Sequence, residues 1–196
     1  MSEINLSDLP KTEIVDVHIA SVWSRVAAYL LNYLFNVIIF LPYYYILYTE
    51  TAAIAKQKNI AFTQELIISV SERADMTQML GLTSIVYLIV GIVQLYYMSR
   101  DGQSLGKKIM GIRVLKSDGS NPGFGGTVLI REVAWSFIVG IIVIAVMLVV
   151  NETGGDLVSL LMTFINFIML FSAKRNRRTL YDMLADTVVV KLPPRR

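Results

Sequence analysis

No cysteine occurs in the 196 residues, which excludes disulfides, thiolate metal sites and cysteine nucleophiles together. Histidine occurs once, at His18, leaving no pair of imidazoles for a metal site or a proton relay. Charge of either sign is missing from four long stretches: Val26–Thr49, Met76–Ser99, Val133–Asn151 and Leu157–Ala173. An intramembrane protease would need a buried aspartate pair, or serine with histidine or lysine, and these stretches hold neither. No nucleophile–base pair is apparent elsewhere. The chain therefore reads as a non-enzyme that requires no cofactor or metal.

What is present is mostly apolar. With 55% apolar residues and 17% charged residues, and a mean hydropathy of +0.57, the chain is too hydrophobic for an ordinary soluble domain. A spanning helix needs roughly 20 apolar residues, about 17 at the short end, so all four runs are candidates. The short link Asn151–Asp156 makes the last two a tight helical hairpin. In lipid the backbone of each run must satisfy itself as a helix. The expectation is an all-α polytopic membrane protein, one domain over residues 1–196, with four transmembrane helices. Residues 1–16 carry Glu3, Asp8, Glu13 and Asp16 against Lys11 alone, the opposite of a basic signal-peptide start. The first run is read as a retained span.

Four spans put the N-terminus, the loop 100–132 and the tail 174–196 on one side. That side holds fifteen of the 18 lysines and arginines; the other holds Lys56, Lys58 and Arg73. Basic residues mark the cytoplasmic side, so both termini are expected there. Tyr43, Tyr44, Tyr45 and Tyr48 then fall at the outer end of the first span, with Tyr96 and Tyr97 at the inner end of the second, the depths where amphipathic rings settle. The outer loop Glu50–Asp75 reads as a solvated connector, in which Thr63 and Leu66–Val70 could form a short amphipathic helix.

The inner segment Asp101–Gly119 is basic and punctuated by Gly102, Gly106, Gly111 and Gly119. Ser104 is placed to cap a short turn carrying Leu105, Lys107 and Lys108. From Gly111 to Lys116 apolar and basic residues alternate, the pattern of a half-buried strand containing Val114. The other β-rich run is Thr187–Leu192, and the two are expected to pair as a small cytoplasmic β element. A phosphate loop needs glycine, four residues, glycine, lysine and a hydroxyl. Here three residues separate Gly102 from Gly106, and Lys108 takes the hydroxyl position, so nucleotide binding is rejected. The basic side chains either contact anionic lipid, at ~1 kcal/mol each near the surface, or only fix topology. No nucleic-acid partner is expected.

Polar residues within the runs fall in stripes. Arg25, Tyr29, Asn32 and Asn36 share one face of the first helix, Tyr87 and Gln94 one of the second, and Ser159, Thr163 and Asn166 one of the fourth. Facing lipid would be costly, so these stripes are expected inside the bundle, as interhelical glue or as the wall of a hydrophilic path. Arg25 either snorkels to the headgroups or pairs with a carboxylate, with Asp182 the candidate.

The order RVAA from Arg25, GQSLGKKIMGIRV from Gly102 to Val114, Asp118-Gly119, Arg131, and RTLYDMLADTVV from Arg178 to Val189 resembles the RDD family of bacterial integral membrane proteins. The likeness covers about residues 20 to 191 and includes Asp182 and Thr187. It implies a small helical protein of the bacterial inner membrane, of largely undefined function, for which transport has been proposed. The family is named for an arginine and two aspartates. Arg25 and Asp182 fit, but the aspartate expected seven residues after the arginine is Asn32, which cannot titrate. Tyr181 stands where histidine is common, and Asp186 where glycine is common. Proton-coupled cation transport normally uses an intramembrane carboxylate, and none lies in these runs. The leading expectation is an assembly or regulatory membrane protein that binds another membrane protein or itself; the alternative is a transporter subunit for an ion or small solute.

Overall fold

The computed structural model describes residues 18–192. The acidic N-terminal stretch and Arg195 and Arg196 of the basic tail lie outside the described residues. Helix α1, Val22–Lys58, starts at Ser21, whose Oγ accepts from the Ser24 N–H at 3.1 Å. It runs well past the apolar stretch, because the following segment is rich in Ala, Glu, Lys and Gln, all strong helix formers. It stops at Asn59, which takes the left-handed conformation that closes helices (φ 51°).

The outer loop is thus not a solvated connector. Much of it is the end of α1, and a further part is α2, Gln64–Ser71, capped by Thr63. Val70 of α2 is buried with Tyr43, Leu47 and Met76. Arg73 bridges Glu50 at 3.1 Å and Asp75 at 2.8 Å, exposed pairs that add little.

Helix α3, Ala74–Asp101, returns alongside α1 and ends at Gly102 (φ 65°). A one-turn helix α4, Leu105–Ile109, and strand β2, Ile112–Lys116, follow. The next helix begins at Gly125, not at Val133: residues Gly125–Ala134 are wound as a π-helix that continues directly into α5, Trp135–Val149. Arg131 is therefore a helix residue and not a loop charge. The hairpin to α6, Glu152–Met169, is also tighter than the sequence spacing implied, since Asn151 accepts from the Gly154 N–H at 2.8 Å and α6 starts at once. A Cβ on Gly155 would strike the side chain of Met147, so the glycine sets the close approach of α5 and α6.

A 3-10 turn at Ala173–Arg175, helix α7 (Leu180–Leu184) and strand β3 (Thr187–Lys191) follow. Strand β3 pairs antiparallel with β2 in the register Val114↔Val189, and on its other edge with the two-residue strand β1, His18–Ile19. β1 has no signal in the sequence reading, being two residues held only by β3. Ala20, Ala28, Ile112, Val114 and Val189 form the apolar core where this sheet meets the start of α1.

Among the described residues three helices are long and apolar enough to cross a membrane: Val22–Lys58, Ala74–Asp101 and Gly125–Val149. Helix α6 qualifies only together with Ala173–Leu184, to which it is bent by 91°. Glu152, Asp156 and Asn166 dilute its apolar run. Helices α1 and α3 make no more than glancing contact with α5 and α6; the two helical hairpins are joined at one end, where α3 packs on the π-helical segment (Thr127 Oγ1 donates to the Met98 carbonyl at 2.8 Å) and a platform of α4, α7 and the sheet lies beside them.

Candidate functional site

The candidate residues gather at the junction of platform and helices. Gly106 of α4 lies so close to α1 that a Cβ would run into the Ala28 carbonyl oxygen. That approach puts the end of α4 under Asn32. The Asn32 Oδ1 accepts from the Gly106 N–H at 2.8 Å, and its Nδ2 donates to Ser104 Oγ at 2.9 Å. Ser104 Oγ also accepts from the Lys107 N–H, at 3.4 Å. Asn32 is thus a bracket for α4, supplying an acceptor to a backbone donor that a one-turn helix cannot satisfy itself.

Asn166 plays the same part for α7. Its Oδ1 accepts from the Leu180 N–H at 2.9 Å, while its Nδ2 donates to the Met162 carbonyl at 2.9 Å. The rest of the α7 start is a capping box: Asp182 N–H donates to Thr179 Oγ1 and Thr179 N–H donates to Asp182 Oδ2. This Thr-x-x-Asp pattern is legible in the sequence, although Thr179 was not singled out there.

Asp182, 1% exposed, is the centre of the site. Arg25 Nη1 lies 3.6 Å from its Oδ2, and Arg131 Nη2 lies 2.8 Å from its Oδ1. Arg25 also donates to the Arg177 carbonyl at 2.6 Å and the Val189 carbonyl at 3.1 Å, tying α1 to both the tail loop and β3. The arginine does not snorkel. Arg131 sits with its guanidinium 4.9 Å from the Tyr181 ring centroid, a cation–π contact in a buried setting. The sequence reading missed this second arginine as a partner of Asp182 because Arg131 was assigned to the loop. Burying ions in this way is not by itself stabilising, but losing one partner of such a group is severely destabilising.

The glycine-rich motif serves the platform. Val114 N–H donates to the Gly102 carbonyl at 2.9 Å, and a Cβ on Gly102 would collide with the Val114 carbonyl oxygen. Gly111 (φ 63°) accepts from the Leu192 N–H at 2.8 Å, and Gly119 (φ 83°) closes the turn after β2. Buried Gln103, not singled out from the sequence, donates to the Ile112 carbonyl at 2.8 Å. Thr187 Oγ1 donates to the Asp182 carbonyl. Arg178 pairs with Asp186 at 2.8 Å, and Asp186 (φ 47°) also accepts from Ser117 Oγ at 2.6 Å. Those two contacts, helped by the Arg178 charge, hold the Asp186 carboxyl below its ordinary range. They also account for a non-glycine residue at a left-handed position.

The stripes do not line a bundle interior. Tyr29 (71% exposed), Asn36, Ser159 and Thr163 are all exposed, and Gln94 is half-buried; Leu105, on the platform, is half-buried too. The two hairpins do not close on each other, so at its platform end α1 is covered only as far as the platform reaches, and burial returns at Tyr43 and Leu47 against α2 and α3. Arg25, Ala28 and Asn32 lie within the platform's reach, while Tyr29 is at its edge and Asn36 beyond it. Among the described residues no group of His, Cys, Asp and Glu is arranged to hold a metal.

An arginine at the start of the first helix, an aspartate in the tail and the glycine-rich segment between them now stand in one connected site. The model for the RDD family matches residues 19–186. The chain belongs to the RDD family. No curated protein and no solved structure is detectably similar to it. Membership and the long apolar helices together make this RDD protein a membrane protein.

Proposed function

We propose that this RDD protein is an assembly or regulatory protein of the bacterial inner membrane, binding another membrane protein or a second copy of itself. In this reading α6 is a fourth span, both termini are cytoplasmic, and the platform lies at the cytoplasmic face. The charge distribution supports that orientation, since fifteen of 18 basic residues fall on one side of a four-span topology.

One observation carries the functional reading. The polar groups best placed for transport chemistry are spent on holding the platform. Arg25 and Arg131 meet Asp182, Asn32 brackets α4, and Asn166 brackets α7. Meanwhile α5 has no buried residue, and the outer faces of α1 and α3 are apolar and open. Such helices, fixed at one end and uncovered along their length, are suited to packing against other helices. The test pairs crosslinked affinity purification with ion and solute flux in reconstituted vesicles. A defined complex or homo-oligomer, with no flux from the wild type or from Asn32→Asp, is the expected result. Flux from the wild type that Arg25→Ala abolishes would overturn the proposal in favour of a transporter subunit.

A further inference from the structure

Around Asp182 the cations outnumber the carboxylates. Arg25 and Arg131 are 8% and 3% exposed. Lys107, half-buried on α4, and Arg177 also fall within electrostatic reach. Against these four stand Asp182, fully buried, and Glu132, whose side chain is half in solvent and 4.0 Å from Arg131 Nε. One buried carboxylate cannot neutralise this group, and an uncompensated charge out of water is strongly unfavourable.

Hydrogen bonding shows the same deficit. Arg131 Nε and Nη1 and Arg25 Nε are buried donors without an acceptor. Arg131 uses Nη2 on Asp182 at 2.8 Å, which leaves its Nε and Nη1 as the donors without an acceptor. Buried polar groups in native proteins are nearly always paired, and a group that is not calls for a missing partner. The guanidinium donors call for an acceptor, and the excess of positive charge around them favours one that carries negative charge. The planar fork of arginine matches phosphate oxygens in particular. The group approaches the surface at Lys107, which is half-buried, and at Glu132, whose side chain is half in solvent. Burial, together with the nearby Arg131, pushes the Lys107 ammonium down to about 7, as expected of a cation held among cations.

We infer that Arg25, Arg131 and Lys107 form a binding site for a phosphate-bearing anion, with the unpaired guanidinium N–H groups as donors and Lys107 at the mouth. Two sources share this chemistry: the phosphodiester of an anionic phospholipid, and free phosphate. On the topology proposed above, the site sits where headgroups of the inner leaflet lie. The inference itself rests on the charge group and not on whether the protein transports or assembles.

The experiment is thermal unfolding of the full chain in neutral detergent. The probes are inorganic phosphate against chloride at matched ionic strength, and phosphatidylglycerol against phosphatidylcholine doped into the micelles. A ligand present at a hundred times its Kd should raise the unfolding temperature by several degrees. A rise with phosphatidylglycerol alone identifies the lipid headgroup, and a rise with inorganic phosphate identifies the free anion. Arg131→Gln would leave Asp182 without its closest partner in the buried group, so Lys107→Gln, at the mouth, is the working variant. It should keep the fold and lose most of the shift. No rise with either probe, or an equal rise in Lys107→Gln and the wild type, overturns the site, and neither result bears on flux or on oligomeric state.

Discussion

Asp182→Asn removes one charge while nearly preserving shape, so it isolates what the carboxylate does. In the wild type two guanidiniums lie 3.6 and 2.8 Å from it in a region almost free of solvent. An asparagine oxygen can still accept from the Thr179 N–H, so the start of α7 stays capped. What disappears is the one buried negative charge that the described residues place between Arg25 and Arg131. Leaving one member of a buried ion group unpaired costs about 3–5 kcal/mol. That is a large share of the roughly 5–15 kcal/mol by which a domain is stable. Asp182→Ala should lose about 1 kcal/mol more, because the cap goes as well. The assay is thermal unfolding in detergent, with limited trypsin digestion followed at Arg177 and Arg178. Both lie in the segment that Arg25 and Asp182 hold down, so cleavage there should accelerate sharply in Asp182→Asn. A cycle with Arg25→Gln adds the decisive number: removing both partners should be milder than the sum of the single losses by about 0.5–3 kcal/mol. Fully additive losses, or an Asp182→Asn variant that melts and digests like the wild type, would refute the clamp.

Two further outcomes follow from the same geometry. Asn32→Leu deprives the Gly106 N–H and Ser104 Oγ of their partner and should destabilise by about 1–3 kcal/mol; Asn32→Asp keeps the acceptor and should melt close to the wild type. Lys107, whose folded-state value of about 7 lies below its ordinary 10.5, charges unfavourably in the folded chain. Stability should therefore rise as pH climbs from about 7 toward 10, because the folded state has shed a proton that the unfolded state keeps. Unfolding midpoints measured across that range should flatten in Lys107→Met.

The long apolar helices were legible because lipid imposes a single rule, an uncharged run of sufficient length. Their ends were not. Helix α1 outlasts its apolar run through residues chosen by propensity, and the third long helix starts eight residues before its run, inside a segment that reads as loop. A π-helical start has no simple sequence period, and that hid the inward turn of Arg131. Pairing of Arg25 with Asp182 could be proposed from their placement on one side. The second arginine required the helix boundary. The stripes failed for a different reason: periodicity assigns a residue to a face, but only tertiary packing determines whether that face is covered. Tyr29 and Asn36 share a face with Arg25, yet the platform extends no further than Asn32.

Asn32 is where this chain departs from the arrangement its family name describes, and the structure gives the position a physical meaning. What faces it is a backbone N–H and a hydroxyl, both able to donate to an oxygen at residue 32. A carboxylate would be satisfied there by the start of α4 itself. Asparagine performs the same holding task with a neutral amide, and it spends its second hydrogen bond on Ser104. The bracket is therefore retained while the titratable group is absent. Asn166 repeats the device at α7, also with a neutral amide. Each hairpin thus grips one short platform helix through a side chain that pH does not change. The ionisable residues are concentrated instead where the hairpins meet, at Arg25, Arg131, Lys107 and Asp182. Among the described residues, the buried charge is thus gathered in that group and not in the helix interiors.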